Sequence, residues 1–394
     1  MQFRNSGRKS RDEWLTIPHP KEDAFFYAGG KKKAMGLLQK TLNAIKPLNK
    51  EVQKEAMEYI DGLIKPIGSL GKLETIAAQI AGITGKVKGN EMKKRGIIAM
   101  CADNGVHAEG VAVAPQEVTT LMAKAMAAGG SGMTVFAKEA GAEYFLVDVG
   151  INSDDEIPGV IRKKIAHGTA NFAKGPAMSR EDCVKAIEIG IEMVQDLVDK
   201  GYDIIGTGEL GMGNTSSSSC VLVALTGISM DEAVGKGAGL TDEAHQHKKD
   251  VLNRALEVNK PDKNDPIDVL AKVGGFDIAG LVGVYLGAAA CRKPVVVDGF
   301  ISAAAALAAV KLCPAASDYM ITSHCSAEPG FVAMMDALGK KPMLMLDMRL
   351  GEGSGCPMAF HVVDQALAMI NHMATFAEAT IDSSEFVDIR EDEE

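Results

Sequence analysis

The 394-residue chain has few aromatic residues, no long apolar run and a net charge of −10. One Trp, six Tyr and twelve Phe give little material for stacking on bases, and an acidic chain lacks the basic stripe of a nucleic-acid-binding protein. The most apolar stretches, 279–291 and 301–310, fall short of the roughly 20 residues that a membrane-spanning helix needs. We therefore expect neither nucleic acid nor a membrane as a partner.

Paired cysteine motifs are also missing. The seven cysteines are scattered, odd in number and never spaced as C-x-x-C, which argues against a disulfide framework and against a zinc site. The basic N-terminus has no apolar segment behind it, so it does not resemble a secretory signal. These features predict a reduced cytoplasmic protein without a metal site.

The chain does have the composition of a globular protein with a sizeable core, at 46% hydrophobic and 24% charged residues. Glycine is abundant. There are 42 glycines, where an average composition would give about 28. Many backbone positions therefore use the conformational freedom or the small size of glycine.

Two patterns divide the chain. Between residues 35 and 85 the apolar residues recur at helical spacing, and a helical pattern returns between 357 and 376. Between them, short β-rich runs alternate with longer helical stretches, which predicts a parallel sheet covered on both faces by helices. The predicted strands are 96–101, 144–149, 203–206, 294–297, 319–322 and 343–346.

This pattern predicts three parts. Residues 1–34 form a polar N-terminal extension that is either mobile or packs on the body through Trp14 or residues 25–27. Residues 35–90 and 358–394 form a small helical domain built from both chain ends. Residues 91–357 form the large α/β domain with the parallel sheet.

In open parallel sheets ligands bind beyond the carboxyl ends of the strands. The segments that follow the predicted strands are rich in glycine and carboxylates. They are 102–105, 207–215, 298–300, 323–330 and 350–355.

One of these segments matches a dinucleotide-binding pattern, Gly206-x-Gly208-x-x-Gly211. Asp231 stands where the ribose-binding acid of such a site would be expected. However, Glu209 would place a negative charge beside the pyrophosphate, and residues 227–234 do not resemble the end of a second strand. The pattern leaves an NAD-dependent dehydrogenase as an alternative function.

Two further glycine settings remain open to two interpretations. The run Gly211-Met-Gly-Asn-Thr215 opens a helix, whose free N–H groups would bind a phosphate or would be capped in an ordinary tight turn. Glu352 stands between two glycines, which suits a carboxylate that approaches a ligand closely but does not demand one.

An ordered set of motifs identifies the chain more specifically. The motifs are KPIGSLGKLE (65–74), ADNGVHAEGV (102–111), PQEVT (115–119), GELGMGNT (208–215), VGKGAGL (234–240), SHCSAEPG (323–330) and RLGEGSG (349–355). Together they resemble the nicotinate-nucleotide:dimethylbenzimidazole phosphoribosyltransferase family, over about residues 36–376.

The resemblance implies a reaction in which nicotinate mononucleotide and an aromatic base give nicotinate and the α-ribotide of that base, the lower ligand of a cobamide. It also implies a Rossmann-like domain with a small helical domain, a dimer, and no metal or organic cofactor. A β-nucleotide that becomes an α-ribotide requires inversion, and therefore a single displacement.

The resemblance assigns roles residue by residue. Glu352 takes the position of the general base, and Glu209 that of a second carboxylate near the ribose. The implied phosphate and nucleotide contacts are Gly211, Gly213, Lys248, Ser326, Ala327, Asp298 and Gly299. The implied base contacts are Ala108, Gln116 and Leu210.

The chain departs from the family near the base. Asn104 stands where His is usual, Ala108 where Ser is common, Cys325 in place of Gln, and Phe331 in place of His. These changes leave open a branch that accepts purines or phenols, in which paired non-identical subunits occur. They also leave open a non-catalytic partner subunit, although the presence of both Glu209 and Glu352 argues against it.

Overall fold

A computed structural model describes residues 35–235, 239–382 and 387–390. Residues 1–34, for which we predicted an extension, lie outside the described residues. The sheet has six strands, all parallel, in the order β3-β2-β1-β4-β5-β6. They are β1 Arg95–Ala102, β2 Ala142–Gly150, β3 Val160–Arg162, β4 Ile204–Leu210, β5 Val295–Val297 and β6 Met320–Thr322.

Five of the six predicted strands are confirmed, and the sixth is wrong. Instead of a strand at 343–346 there is one parallel bridge between Leu344 and His324, and Met345 is 75% exposed. This apolar segment runs past the carboxyl end of β6, which stops at Thr322, so little strand lies beside it to pair with. The sequence pattern also missed β3, a three-residue edge strand that is only half buried.

Helices cover both faces of the sheet. Along β1, Ile98 and Met100 belong to one apolar cluster, whereas Ile97 and Ala99 belong to the other, as expected for a strand buried on both sides. The fifteen α-helices of the described residues are α1 Leu37–Ala44, α2 Lys50–Asp61, α3 Lys72–Thr84, α4 Val118–Ala127, α5 Gly132–Glu139, α6 Arg180–Asp199, α7 Asn214–Thr226, α8 Met230–Ala233, α9 Asp242–Asn259, α10 Pro266–Val273, α11 Phe276–Ala290, α12 Phe300–Leu312, α13 Gly330–Leu338, α14 Cys356–His372 and α15 Phe376–Ala379.

Glycine is required where α6 and α11 cross. A Cβ on Gly190 would collide with the carbonyl oxygen of Gly280, and one on Gly283 with that of Ile187. The two backbones are therefore in direct contact. This close packing accounts for part of the glycine excess.

The helices near the two ends of the chain lie together. Ile60 of α2, Ile80 of α3 and Phe360 of α14 belong to one apolar cluster. The same cluster includes the side chains on one face of the sheet, among them Ile97 and Ala99 of β1. Just beyond α2, Leu63 forms an antiparallel bridge with Thr375. The domain boundaries at 35–90, 91–357 and 358–394 stay a prediction.

Across the described ranges, none of the helices has the length and apolar character to cross a bilayer.

Candidate active site

The strand order reverses next to β1, which lies between β2 and β4. Loops that leave the carboxyl ends of such neighbouring strands diverge and open a crevice, where Rossmann-like folds bind their ligands. A cavity of about 300 Å³ lies at this edge, and residues from the loops after β4, β5 and β6 line it.

Most of the residues predicted for the site meet in this cavity. Those on its wall are Glu209, Leu210, Gly211, Gly213, Lys248, Asp298, Gly299, Ser326 and Glu352. Three others are not among the lining residues. Ala108 is exposed, Gln116 accepts a hydrogen bond from Asn152 through Oε1 (3.3 Å), and the N–H of Ala327 donates to the carbonyl oxygen of Met348 (3.0 Å).

Glu352 is held in an uncommon backbone conformation. Its φ is 64°, in the left-handed region, and both neighbouring glycines also have positive φ. The side chain is 6% exposed, and Oε2 accepts the N–H of Met133 in the first turn of α5 (3.2 Å). The positive end of that helix dipole therefore stabilises the carboxylate.

Glu209 lies opposite, at the end of β4. Its Oε1 accepts the backbone N–H of Glu352 (3.3 Å), and its Oε2 accepts the side-chain amide of Asn214. Burial, together with the charge of Asp277, raises the pKa of Glu209 to about 8. Glu209 therefore favours its protonated form near neutral pH.

Asp298, in the loop after β5, connects the sheet to the glycine loop around Glu352. Its carboxylate accepts the N–H groups of Gly353 (3.1 Å) and Gly355 (2.6 Å). The Nδ1 of His324, which also lines the cavity, lies 3.8 Å from Oδ1 of Asp298. Burial raises the pKa of Asp298 to about 7, although these N–H groups oppose the shift.

The other end of the cavity suits an anion. Lys248 of α9 is 2% exposed and donates to Oγ1 of Thr215 (3.2 Å), and burial lowers its pKa. The first turns of α7 and α12 also line this end, and neither has a capping side chain. In α12 the first intrahelical bond is the one from Ala303 to Gly299, so three preceding N–H groups have no helical partner.

One wall of the cavity is apolar. It comes from the segment between the 3₁₀ helix at Gly105–Glu109 and α4, and from α4 itself. Its lining residues are Val111, Ala112, Val113, Ala114 and Met122. This wall can take the flat, largely apolar face of an aromatic ring.

The dinucleotide pattern does not form the turn that it would need. Gly206 and Gly208 lie inside β4, not after it. A Cβ on Gly208 would collide with the backbone of Glu352, so this glycine makes room for the carboxylate loop. The NAD alternative is therefore not favoured.

Sequence reasoning missed two buried residues behind the carboxylates. Asn214 donates to both Glu209 and Asp277, the latter at 3.1 Å between Nδ2 and Oδ2. Asp277 could have been found, because it is the one acid in the apolar helix α11. Nothing in the sequence showed that Asn214 would connect the two acids. In the part of the chain that the structure covers, no group of three or more His, Cys, Asp or Glu side chains could hold a metal ion.

Comparison with known proteins agrees with this arrangement. A family model described as phosphoribosyltransferase matches residues 45–381. The nicotinate-nucleotide–dimethylbenzimidazole phosphoribosyltransferase of Clostridium tetani is 54% identical over 358 residues, which cover 91% of this chain and 99% of that protein. The enzyme of the same name from Ruminiclostridium cellulolyticum is 51% identical, covering 87% of this chain and 97% of its own.

A solved structure is also similar. CobT from Thermus thermophilus superposes with a TM-score of 0.81 at 36% identity, over 85% of this chain and 100% of that one. Shared sequence over nearly the whole length and a shared fold lead to one conclusion. The chain belongs to the nicotinate-nucleotide–dimethylbenzimidazole phosphoribosyltransferase family.

Proposed function

We propose that this chain transfers the phosphoribosyl group of nicotinate mononucleotide to an aromatic base of the dimethylbenzimidazole class. The products are nicotinate and the α-ribotide of the base. One observation carries the proposal. The same cavity joins an anion-binding end at Lys248, a wall of carboxylates, and an apolar wall. A phosphate, a ribosyl cation and an aromatic ring need these three environments.

The chemistry fits this arrangement. The bond that breaks joins C1′ of the ribose to a pyridinium nitrogen, and its electron pair leaves with the ring as neutral pyridine nitrogen. No general acid is needed for that step. The enzyme must instead accept the proton of the attacking N–H and stabilise positive charge on the ribose, and carboxylates do both.

Glu352 is the proposed general base. Its Oε2 is held by Met133, while its other oxygen accepts no hydrogen bond from the described residues. The carboxylate therefore has one oxygen fixed and one available to the base. Glu209 is the proposed stabiliser of the ribosyl cation. Its carboxylate is buried, and the low polarity around it strengthens the attraction between opposite charges.

The phosphate is proposed to bind at the anion end. Lys248 and the hydroxyl of Ser326 would contact it, together with backbone groups near Gly211, Gly213 and Gly299. Binding energy from this remote group would position C1′ for in-line attack. Asp298 contributes by holding the glycine loop, and a contact from Ala327 stays a prediction.

The base is proposed to lie against the apolar wall and Leu210. Contacts from Ala108 and Gln116 stay predictions, and so does the identity of the natural base. Purines and phenols remain alternatives to benzimidazoles.

We also propose a cytoplasmic homodimer, with a heterodimer as the alternative. Val113, Leu121 and Leu350 are exposed apolar side chains, the first and last of them at the cavity, and they would suit such an interface.

The test is incubation of the purified chain with nicotinate mononucleotide and a panel of benzimidazoles, purines and phenols, with products identified by mass. We expect an α-ribotide with at least one base and release of nicotinate. No product with any base, from chain that is folded and binds the nucleotide, would instead indicate a partner subunit.

A further inference from the structure

We propose that Glu209 and Asp277, bridged by Asn214, form one buried acid pair that holds a proton when the cavity is empty and releases it when a cationic pyridinium ring enters. Asp277 is then a positioning residue. It acts on the reaction through Glu209 and does not contact the substrate. This inference rests on the proposed function and concerns how that site is charged.

The first support is the bridge itself. Both N–H bonds of one amide nitrogen point at carboxylates, since Nδ2 of Asn214 donates to Oε2 of Glu209 and to Oδ2 of Asp277. Glu209 is 6% exposed, and Asp277 and Asn214 are 0% and 5% exposed. Two carboxylates so close in a buried site cannot both ionise without strong mutual repulsion.

The second support is the absence of a compensating cation. Among the described residues, no Lys, Arg or His forms an ion pair with Glu209 or Asp277. The titratable groups that face the pair are Asp103 after β1, Asp298 after β5, Glu352 in the glycine loop and the thiol of Cys101 in β1. Each of them is neutral or negative, so none offsets the charge of the pair.

The third support is an oxygen of Asp277 that lacks a partner. Oδ1 is fully buried and accepts no hydrogen bond. It lies against Gly275, where Oδ1 of Asn104, another acceptor, also lies. A proton on this carboxyl would give Oδ1 a donor role, whereas full ionisation would leave a buried charged oxygen unsatisfied.

Burial raises the pKa of Asp277 to about 7 and that of Glu209 to about 8, in agreement with one shared proton at neutral pH. A pyridinium ring beside Glu209 brings the missing positive charge, and the proton of the pair passes to solvent. After displacement the ring is neutral, so the pair again favours the protonated state. The pair titrates as a unit, and the proton belongs to neither residue alone.

The first experiment counts protons in the unmodified chain. Binding of nicotinate mononucleotide is measured by titration calorimetry at pH 7 in buffers of different ionisation enthalpy. We expect release of a substantial part of a proton for each nucleotide bound. Binding without release would overturn the acid pair and leave the proposed function standing, and absence of binding would overturn both.

The second experiment uses Asp277→Asn. With the neighbouring charge removed, the rise of kcat/KM for the nucleotide with pH should move to lower pH by about 1–3 units, while the plateau at high pH is retained. Proton release at pH 7 should fall. A lower plateau with an unmoved pH profile would show a merely structural role and overturn the proposal.

A matched control is Asp148→Asn. Asp148 is also buried at the carboxyl end of a strand, but Lys164 lies 3.3 Å from its Oδ2 and neutralises it. This variant should keep both the pH profile and the proton count of the unmodified chain. If Asp277→Asn does not fold, the proton count of the unmodified chain decides the question alone.

Discussion

The backbone N–H of Glu352 donates to Oε1 of Glu209 (3.3 Å), so the main chain of one residue is tied to the carboxylate of the other. Glu209 belongs to the rigid end of β4, whereas Glu352 belongs to a glycine loop. A change at either residue can therefore move the other, and single substitutions need controls that separate chemistry from geometry.

Glu352→Gln tests the proposed general base. The amide keeps the shape and can still accept the N–H of Met133, but it cannot take a proton. Turnover should fall by about 10²–10⁴-fold while nicotinate mononucleotide still binds. The loss should be smaller for a base that is already ionised at the assay pH.

Glu209→Gln is the comparison for that variant. It should also lower turnover, but by a factor that does not depend on the pKa of the incoming base. Steady-state rates with bases of graded acidity distinguish the two. Near-normal turnover of Glu352→Gln with every base would make Glu209 the first candidate for the proton acceptor.

Gly351→Ala tests whether the loop geometry matters for catalysis. Gly351 has a φ of 83°, and a Cβ there would collide with Oε1 of Glu209. Gly227→Ala is the control, because Gly227 has a φ of 78° with nothing within 4 Å. Both should lose about 1–2 kcal/mol of stability, measured by denaturant unfolding, but only Gly351→Ala should also lose turnover. Equal turnover of the two variants would contradict this expectation.

Most of the sheet could be predicted from sequence because its central strands are buried on both faces and read as continuous apolar runs. Glu352 was predicted through the motif that contains it, and Lys248 through its place in the helix that follows the motif at 234–240. Asp277 carried a signal, as the one acid in the apolar helix α11, but Asn214 did not, because its role comes from a contact with Asp277 across 63 residues of chain. The strand predicted at 343–346 was wrong for a different reason. Its apolar sequence is typical of a strand, but β6 ends at Thr322 and leaves too little strand beside it to pair with.

Lys248→Met tests the phosphate site. Methionine keeps much of the buried stem but removes the charge, and a charge-assisted contact is worth roughly 1.5–3 kcal/mol. The KM for nicotinate mononucleotide should therefore rise about ten- to a hundredfold, with little change in the KM for the base. Lys249→Met, on the next residue of α9, removes a lysine that pairs with Asp231 (2.7 Å) and should leave both values unchanged. An unchanged nucleotide KM in Lys248→Met would remove this residue from the phosphate site.

The buried acids also predict how stability depends on pH. Their pKa values in the folded chain, about 8 for Glu209 and about 7 for Asp277 and Asp298, lie above the value of about 4 in an unfolded chain. The folded state then binds more protons, so this contribution to stability is present below about pH 4 and is lost as pH rises through 7 to 8. The Tm of the ligand-free chain should fall as pH rises towards 8 and level off above it, and the fall should be smaller in Asp277→Asn. Parallel Tm curves for the two proteins would contradict the assignment.

Base preference tests the apolar wall against the sequence prediction. Met122→Ala should widen the cavity and shift the ranking of bases towards bulkier ones, because Met122 lines the wall. Ala108→Ser, predicted from the resemblance to shift the ranking too, adds a hydroxyl at an exposed position. Competition assays with pairs of bases measure both. A ranking that changes only with Met122 would remove Ala108 from base recognition.

The walls of the cavity come from different pieces of chain. Glu209 and Asp298 lie at strand ends and hold the glycine loop of Glu352 through its backbone N–H groups. Val111–Ala114 and Met122 belong instead to a connection outside the sheet and to one helix. The two walls can therefore change independently. Replacing side chains in the connection can alter which bases are accepted, without disturbing the acids that act on the glycosidic bond. Directed evolution towards new bases should therefore concentrate its libraries on residues 111–122.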